Sequence, residues 1–279
     1  MSFFSAFRRC VVAISVWLCI GAPAFATDAL EQLQYTVTYR GLFSVGQDLP
    51  IADLQLETRA AQDGSVLRES RLEASSAAYP VVESVFPIRY RFRTWSSGDH
   101  GQPVAFESYE KTRKERHRLY LRDASKSGVR RYDLNNGAGR QEMAQLEAGV
   151  SPSALAGGEL LLDRLALLQR VRGQELRERA EYLLPVTNGR EHFVYRIKVE
   201  GAEVLDLGGR AVAAWRLSFD GMKEKRDGTR EVAHDPVLIW VSQTSDHIPL
   251  RVDSRHAVGL FRVELNARPE FAQLARIDR

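Results

Sequence analysis

His192-Phe193-Val194-Tyr195-Arg196-Ile197-Lys198-Val199 sets Phe193, Tyr195, Ile197 and Val199 on one side of an extended chain and His192, Arg196 and Lys198 on the other. This period of two marks a half-buried β-strand. Trp215, Leu217 and Phe219 against Arg216, Ser218 and Asp220 repeat it, with Gly208-Gly209 between the two runs. Glycine pairs tolerate the positive φ of a tight hairpin, so these runs read as antiparallel neighbours.

The same alternation extends in both directions. Tyr35, Val37 and Tyr39 alternate with Thr36, Thr38 and Arg40, Tyr90 and Phe92 alternate with Arg89, Arg91 and Arg93, and Phe261, Val263 and Leu265 close the series. Further turn signals stand at Asp63-Gly64, Ser97-Gly98, Asn136-Gly137, Asn188-Gly189 and Asp227-Gly228. One segment departs from the pattern. Ser151-Pro152 supplies an N-cap and a first-turn proline, and Leu160, Leu161, Leu162, Leu165, Leu167, Leu168 and Val171 follow at helical density before Gly173. The expectation is a central helix near 151–172, packed deeply against the sheet because its apolar arc exceeds a single stripe.

The 279 residues are 44% hydrophobic and 27% charged, a globular balance that excludes a disordered or collagenous chain. A net charge of +3 is too small to mark the whole chain for nucleic acid. The N-terminus reads as an address: Arg8 and Arg9, an apolar run from Cys10 to Gly21, then the small-x-small site Ala24-Phe25-Ala26. That is a signal peptide over residues 1–26, cleaved after Ala26, with a run too short for a membrane span. Bulky Trp17 and Leu18 before Cys19 argue against lipidation. Cys10 and Cys19 are the only cysteines, so residues 27–279 read as a single antiparallel β domain without disulfides, exported most simply to a bacterial periplasm, with no later membrane span.

Catalytic signatures are absent: no Gly-x-Ser-x-Gly, His-Glu-x-x-His, phosphate loop or dinucleotide fingerprint occurs, and the six histidines lack metal-ligand spacing. No cofactor and no metal are expected. His234-Asp235 and Asp246-His247 are adjacent acid and imidazole pairs, but neighbouring strand residues face opposite ways, and the prolines beside them favour loop positions. The one shaped charge feature is basic. Arg89, Arg91 and Arg93 share a strand face, and Lys111, Arg113, Lys114, Arg116, His117, Arg118 and Arg122 crowd the next long run, brought alongside by a hairpin through Gly98 to Pro103. A solvated face balanced by Glu107, Glu110 and Glu115 weighs more. The functional alternative is an anionic patch of Arg89, Arg91, Arg93, Arg113, Arg116 and Arg118 for lipid or lipopolysaccharide phosphates.

Several stretches together carry a resemblance. They are Tyr35-Thr36-Val37-Thr38-Tyr39-Arg40-Gly41, Ser151-Pro152-Ser153-Ala154-Leu155, and Leu184-Pro185-Val186 before Asn188-Gly189. Val237-Leu238-Ile239-Trp240-Val241-Ser242, Ile248-Pro249-Leu250-Arg251-Val252 and Gly259-Leu260-Phe261-Arg262-Val263-Glu264-Leu265 complete the set. In this order they resemble domain-of-unknown-function family 3108 over roughly residues 33–266. Two features depart from the family pattern: Ser151-Pro152 stands where Asp-Pro is common, and the Leu42 to Pro50 turn is longer and lacks a Gly-Glu pair. The resemblance implies an exported protein of Gram-negative bacteria with no established activity and no catalytic residues to carry over. It also implies a fold that is mainly β, a curved antiparallel sheet or half-barrel with a central helix, similar in shape to periplasmic lipoprotein carriers.

A helix laid in the mouth of a curved sheet encloses apolar volume. Trp215, Phe219, Trp240 and Phe261 are then candidate lining residues, and equally candidate core residues. The reading that follows is a non-enzymatic binding module for an apolar or amphipathic envelope component, with lipid, lipopolysaccharide or an envelope protein as partner and no nucleic acid. The alternatives are a hydrolase of envelope polymers using carboxylates such as Asp235 and Asp246, and a structural assembly partner.

Overall fold

The computed structural model describes residues 31–44, 46–61, 65, 67–97, 102–111, 114–123, 128–150, 160–224, 229–232 and 235–266. The signal segment, both cysteines, Arg113, Ser151-Pro152 and His234 lie outside them, as do the turns at Gly64, Gly98 and Gly228.

The strands are β1 (Glu31–Gly41), β2 (Leu49–Ala60), β3 (Leu67–Ser75), β4 (Arg89–Ser97), β5 (Pro103–Lys111), β6 (Glu115–Asp123) and β7 (Gly128–Asp133), followed by β8 (Glu181–Thr187), β9 (His192–Asp206), β10 (Ala211–Glu224), β11 (Arg230–Val232), β12 (Val237–Ser242), β13 (Pro249–His256) and β14 (Gly259–Leu265). All join one antiparallel sheet in the order β7-β6-β5-β4-β3-β2-β1-β14-β13-β12-β10-β9-β8, with β11 paired to β10. Among the described residues β7 and β8, the two ends of this order, do not pair with each other, so the sheet does not close into a barrel. Pro103 and Pro249 open their strands and Pro185 lies on edge strand β8, positions where a missing N–H costs little. Exposed Arg130 and Arg131 on β7 oppose pairing with a foreign strand.

Register sorts the side chains into two faces. Leu56, Leu72, Phe92, Ser108 and Arg118 stand opposite one another across successive strands, and on the other wing Leu217, Ile239, Val252 and Val263 do the same. This inner face holds the helix Arg164–Arg172. The sheet curls around it far enough that a Cβ on Gly189, in the β8–β9 turn, would lie 2.1 Å from the Tyr120 ring on β6.

Among the described residues three α-helices accompany the sheet: α1 (Pro80–Val85), α2 (Arg140–Glu147) and α3 (Arg164–Arg172). Only α3 was legible in the sequence, and its start needs correction. Residues 160–163 are not helical: Leu162 makes a parallel bridge to Val186, and Asp163, extended, is the N-cap. The expected helix near 151–172 is therefore α3 alone where the chain is described. Its wide apolar arc has a reason: Leu167 and Val171 pack with Ile197, Leu217 and Ile239, whereas Leu165 and Leu168 pack with Leu33, Leu56 and Leu72. The helix joins both wings of the inner face.

The outer face carries its own core. Leu67, Trp95, Leu119 and Leu121 are covered by Met143 and Leu146 of α2. Asn188-Gly189 and Gly208-Gly209 form the expected hairpins at positive φ. Asn136-Gly137 instead closes a 3-10 turn that leads from β7 into α2, a correction to its hairpin reading.

Candidate functional site

The inner face is not filled at one end. A cavity of about 460 Å³ opens between the N-terminus of α3, the β4–β6 ladder and the β8–β9 turn, a size within the roughly 300–1,000 Å³ of small-molecule sites. Its depth is apolar. Phe106 and Tyr120 are cross-strand partners whose rings stack with centroids 4.5 Å apart, and Phe92, Leu72 and Leu168 continue the wall.

Moving outward along the same strands, Ser108 faces Arg118 and Glu110 faces Arg116. Arg164 arrives from the first turn of α3 and Arg190 from the β8–β9 turn. Arg116 keeps a 3.7 Å ion pair with Glu110, and the Arg164 guanidinium hydrogen-bonds the Tyr195 hydroxyl, whose pKa burial pushes up. Arg118 and Arg190 make no ion pair among the described residues. The site thus grades from aromatic floor to guanidinium rim.

Asp163 anchors its inner corner. Oδ1 accepts the Leu165 and Ala166 N–H groups at 2.8 and 3.1 Å and the Thr94 hydroxyl at 2.8 Å. The buried Oδ2 has no hydrogen-bond partner among the described residues. Burial pushes the carboxyl up, against the pull of those hydrogen bonds.

The basic residues expected to form one patch are divided by the sheet. Arg91 and Arg93 oppose Tyr109 and Glu107 on the outer face, whereas Arg116 and Arg118 are on the inner face. The run from Lys111 to Arg122 is not one strand neighbouring β4; β5 lies between β4 and β6. The outer arginines are also matched already. Arg89 meets Glu83 in a two-point ion pair at 2.8 and 2.9 Å. Arg91 and Arg93 converge on fully buried Glu107, Arg93 also reaches Glu147 at 2.9 Å, and its guanidinium lies 4.9 Å from the centroid of Trp95. Of the described residues of that patch, Arg93, Arg116 and Arg118 line the cavity, but the Arg93 guanidinium is committed to Glu107 and Glu147; Arg164 and Arg190 join Arg116 and Arg118 from segments that no strand pattern linked in advance.

The four candidate aromatic residues are likewise dispersed, and none borders this cavity. Phe219 is packed in the core with Ile197 and Leu217. Trp215 borders a separate groove beyond the C-terminal end of α3, with Glu31, Arg172 and His247. Trp240 pairs with Arg216 and points to the opposite side from Trp215; its N–H donates to Glu203 and Arg251 lies over its ring. Phe261 packs on Tyr39 with centroids 5.1 Å apart.

The carboxylates of the hydrolase alternative are also kept apart. Asp235 precedes β12 and Asp246 follows it, so the six-residue strand, rising about 3.3 Å per residue, separates them. His247 hydrogen-bonds the Arg172 carbonyl through Nδ1 at 2.8 Å, while Asp246 accepts from Thr244. No His, Cys, Asp and Glu cluster suited to a metal occurs among the described residues. No described helix is long and apolar enough to cross a membrane.

No curated protein matches the chain. Among solved structures it is similar to a β-barrel-like protein of the domain of unknown function DUF1849 from Brucella abortus, at 11% identity and a TM-score of 0.43, covering 84% of this chain and 94% of that one. The family described as protein of unknown function (DUF3108) matches residues 34–266, nearly the whole described sheet. The chain belongs to the DUF3108 family.

Proposed function

We propose that this is an exported, non-enzymatic binding protein of the cell envelope whose cavity beside α3 takes an apolar or amphipathic molecule. The observation that carries the reading is the cavity itself: an aromatic and aliphatic floor under a polar mouth. The hydrolase alternative gains nothing from Asp235 and Asp246, which stand at opposite ends of β12.

A fluorescent apolar probe such as N-phenyl-1-naphthylamine tests the binding half. It should brighten on saturable binding to the parent protein. Ser108→Trp, which fills the inner face, should abolish this, and Tyr109→Trp on the outer face should not. Equal signals from both variants would overturn the assignment of the cavity.

The export half rests on the first 26 residues. N-terminal sequencing of the periplasmic form should begin at Thr27, and a membrane-bound form acylated on Cys19 would overturn it.

A further inference from the structure

We infer that the cavity selects an anionic amphiphile: one phosphate, sulfate or carboxylate group held by Arg118, Arg164 and Arg190, with a hydrocarbon tail against Phe92, Phe106 and Leu168. The inference rests on the reading of the cavity as a binding site and names the chemistry of its ligand.

The first argument is the placement of charge. Besides the Arg116–Glu110 ion pair, three guanidinium groups reach one mouth from β6, α3 and the β8–β9 turn. Bringing like charges together costs free energy unless something offsets it. Elsewhere the protein matches its arginines closely: Arg172 of α3 with Glu31, Arg251 with Glu264 and Arg262 with Asp253 are ion pairs of 2.5–2.8 Å. Arg118 and Arg190 have no such partner among the described residues, although they stand where the cavity opens. A guanidinium fork is suited to the oxygens of a phosphate or carboxylate.

The second argument is the floor. Phe92, Phe106 and Leu168 offer no donors to a polar ligand, so a free ion leaves them unused, while an alkyl chain removes apolar surface from water at about 25 cal/mol per Å². The backbone N–H groups of Leu165 and Ala166 at the start of α3 are taken by Asp163, which leaves anion recognition to the side chains. A duplex nucleic acid does not enter a concave site of this size, and a cationic amphiphile meets repulsion at the rim.

Calorimetry with three probes, dodecyl phosphate, dodecanol and inorganic phosphate, separates tail from headgroup. Dodecyl phosphate should bind the parent protein at one site, about 100-fold tighter than either of the others. Arg118→Gln and Arg190→Gln should each weaken dodecyl phosphate about tenfold, the scale of one lost charge-assisted contact, and leave dodecanol unchanged. Dodecanol binding as tightly as dodecyl phosphate, or both variants binding dodecyl phosphate normally, would overturn the anion preference while the cavity reading stands. Inorganic phosphate binding as tightly as dodecyl phosphate would show an ion site without a tail site and overturn the amphiphile. Binding of none of the three would remove the inference and the cavity reading together. The two arginines are on the solvent side of the site, and thermal melts of both variants verify that the fold is retained.

Discussion

The Thr94 hydroxyl donates to Asp163 Oδ1 at 2.8 Å, so one residue of β4 fastens the very side chain that caps α3. The same oxygen accepts two helix N–H groups, which makes Asp163 the joint between sheet, helix and cavity. Asp163→Ala should therefore cost about 2–3 kcal/mol in denaturant unfolding, a lost cap plus a stranded buried donor. Asp163→Asn keeps an acceptor in place and should cost less than half of that. Equal losses in the two variants would show that the charge, not the hydrogen-bond geometry, holds the joint.

Two buried carboxylates should give opposite pH dependences. Burial pushes Asp163 up, so the folded state holds a proton that the unfolded chain releases near pH 3.9, and stability from this group falls as pH rises above that value. Burial also opposes the charge of Glu107, but Arg93, Arg91 and His117 outweigh it and hold this carboxyl below the usual range. Its contribution is present above the unfolded value of about 4.3 and is lost as pH falls through the lower folded value. In urea titrations, the cost of Asp163→Asn relative to the parent should shrink as pH rises above about 3.9, whereas the cost of Glu107→Gln should be present above about 4.3 and fade as pH falls below it.

The division of the arginines between two faces gives a direct contrast. Arg93→Gln breaks a buried network around Glu107 and should cost about 3–4 kcal/mol. Arg118→Gln removes an unpaired, partly exposed charge and should change stability by no more than about 0.5 kcal/mol. Melting curves of both variants decide this, and similar losses would place Arg118 in the same kind of network as Arg93.

Curling of the sheet predicts coupling between residues far apart in strand order. Gly189 has φ 84° and its missing Cβ would meet the Tyr120 ring, so Gly189→Ala should destabilise by about 1–3 kcal/mol. In a double-mutant cycle with Tyr120→Ala the two changes should couple by about 1 kcal/mol. Strict additivity would mean that the β8–β9 turn does not press on β6.

Which residues form strands, and which side of each strand is apolar, is written in the chain itself. Trp215 to Phe219 and Phe261 to Leu265 alternate strictly, Phe193 to Val199 does so but for Val194, and a period of two is the mark of an extended chain. The hairpins at Asn188-Gly189 and Gly208-Gly209 follow from residues that accept positive φ. Even the opposite facing of Trp240 and Val241 follows from adjacency along a strand.

Register and curvature are set by contacts distant in sequence, and they decided everything about the site. The face shared by Arg89, Arg91 and Arg93 was legible, but only pairing of β4 with β5 puts Glu107 beneath two of them and turns a proposed patch into a buried network. Ser151-Pro152 has local capping chemistry, yet Asp163 caps α3 because Thr94 on β4 holds it there. The eight-residue α2 is too short to announce itself by periodicity and exists by covering Trp95 and Leu119. Arg118, Arg164 and Arg190 belong to three separate segments, and no spacing rule relates them. They meet because the sheet wraps around α3, a consequence of burying the apolar faces of both wings against one helix.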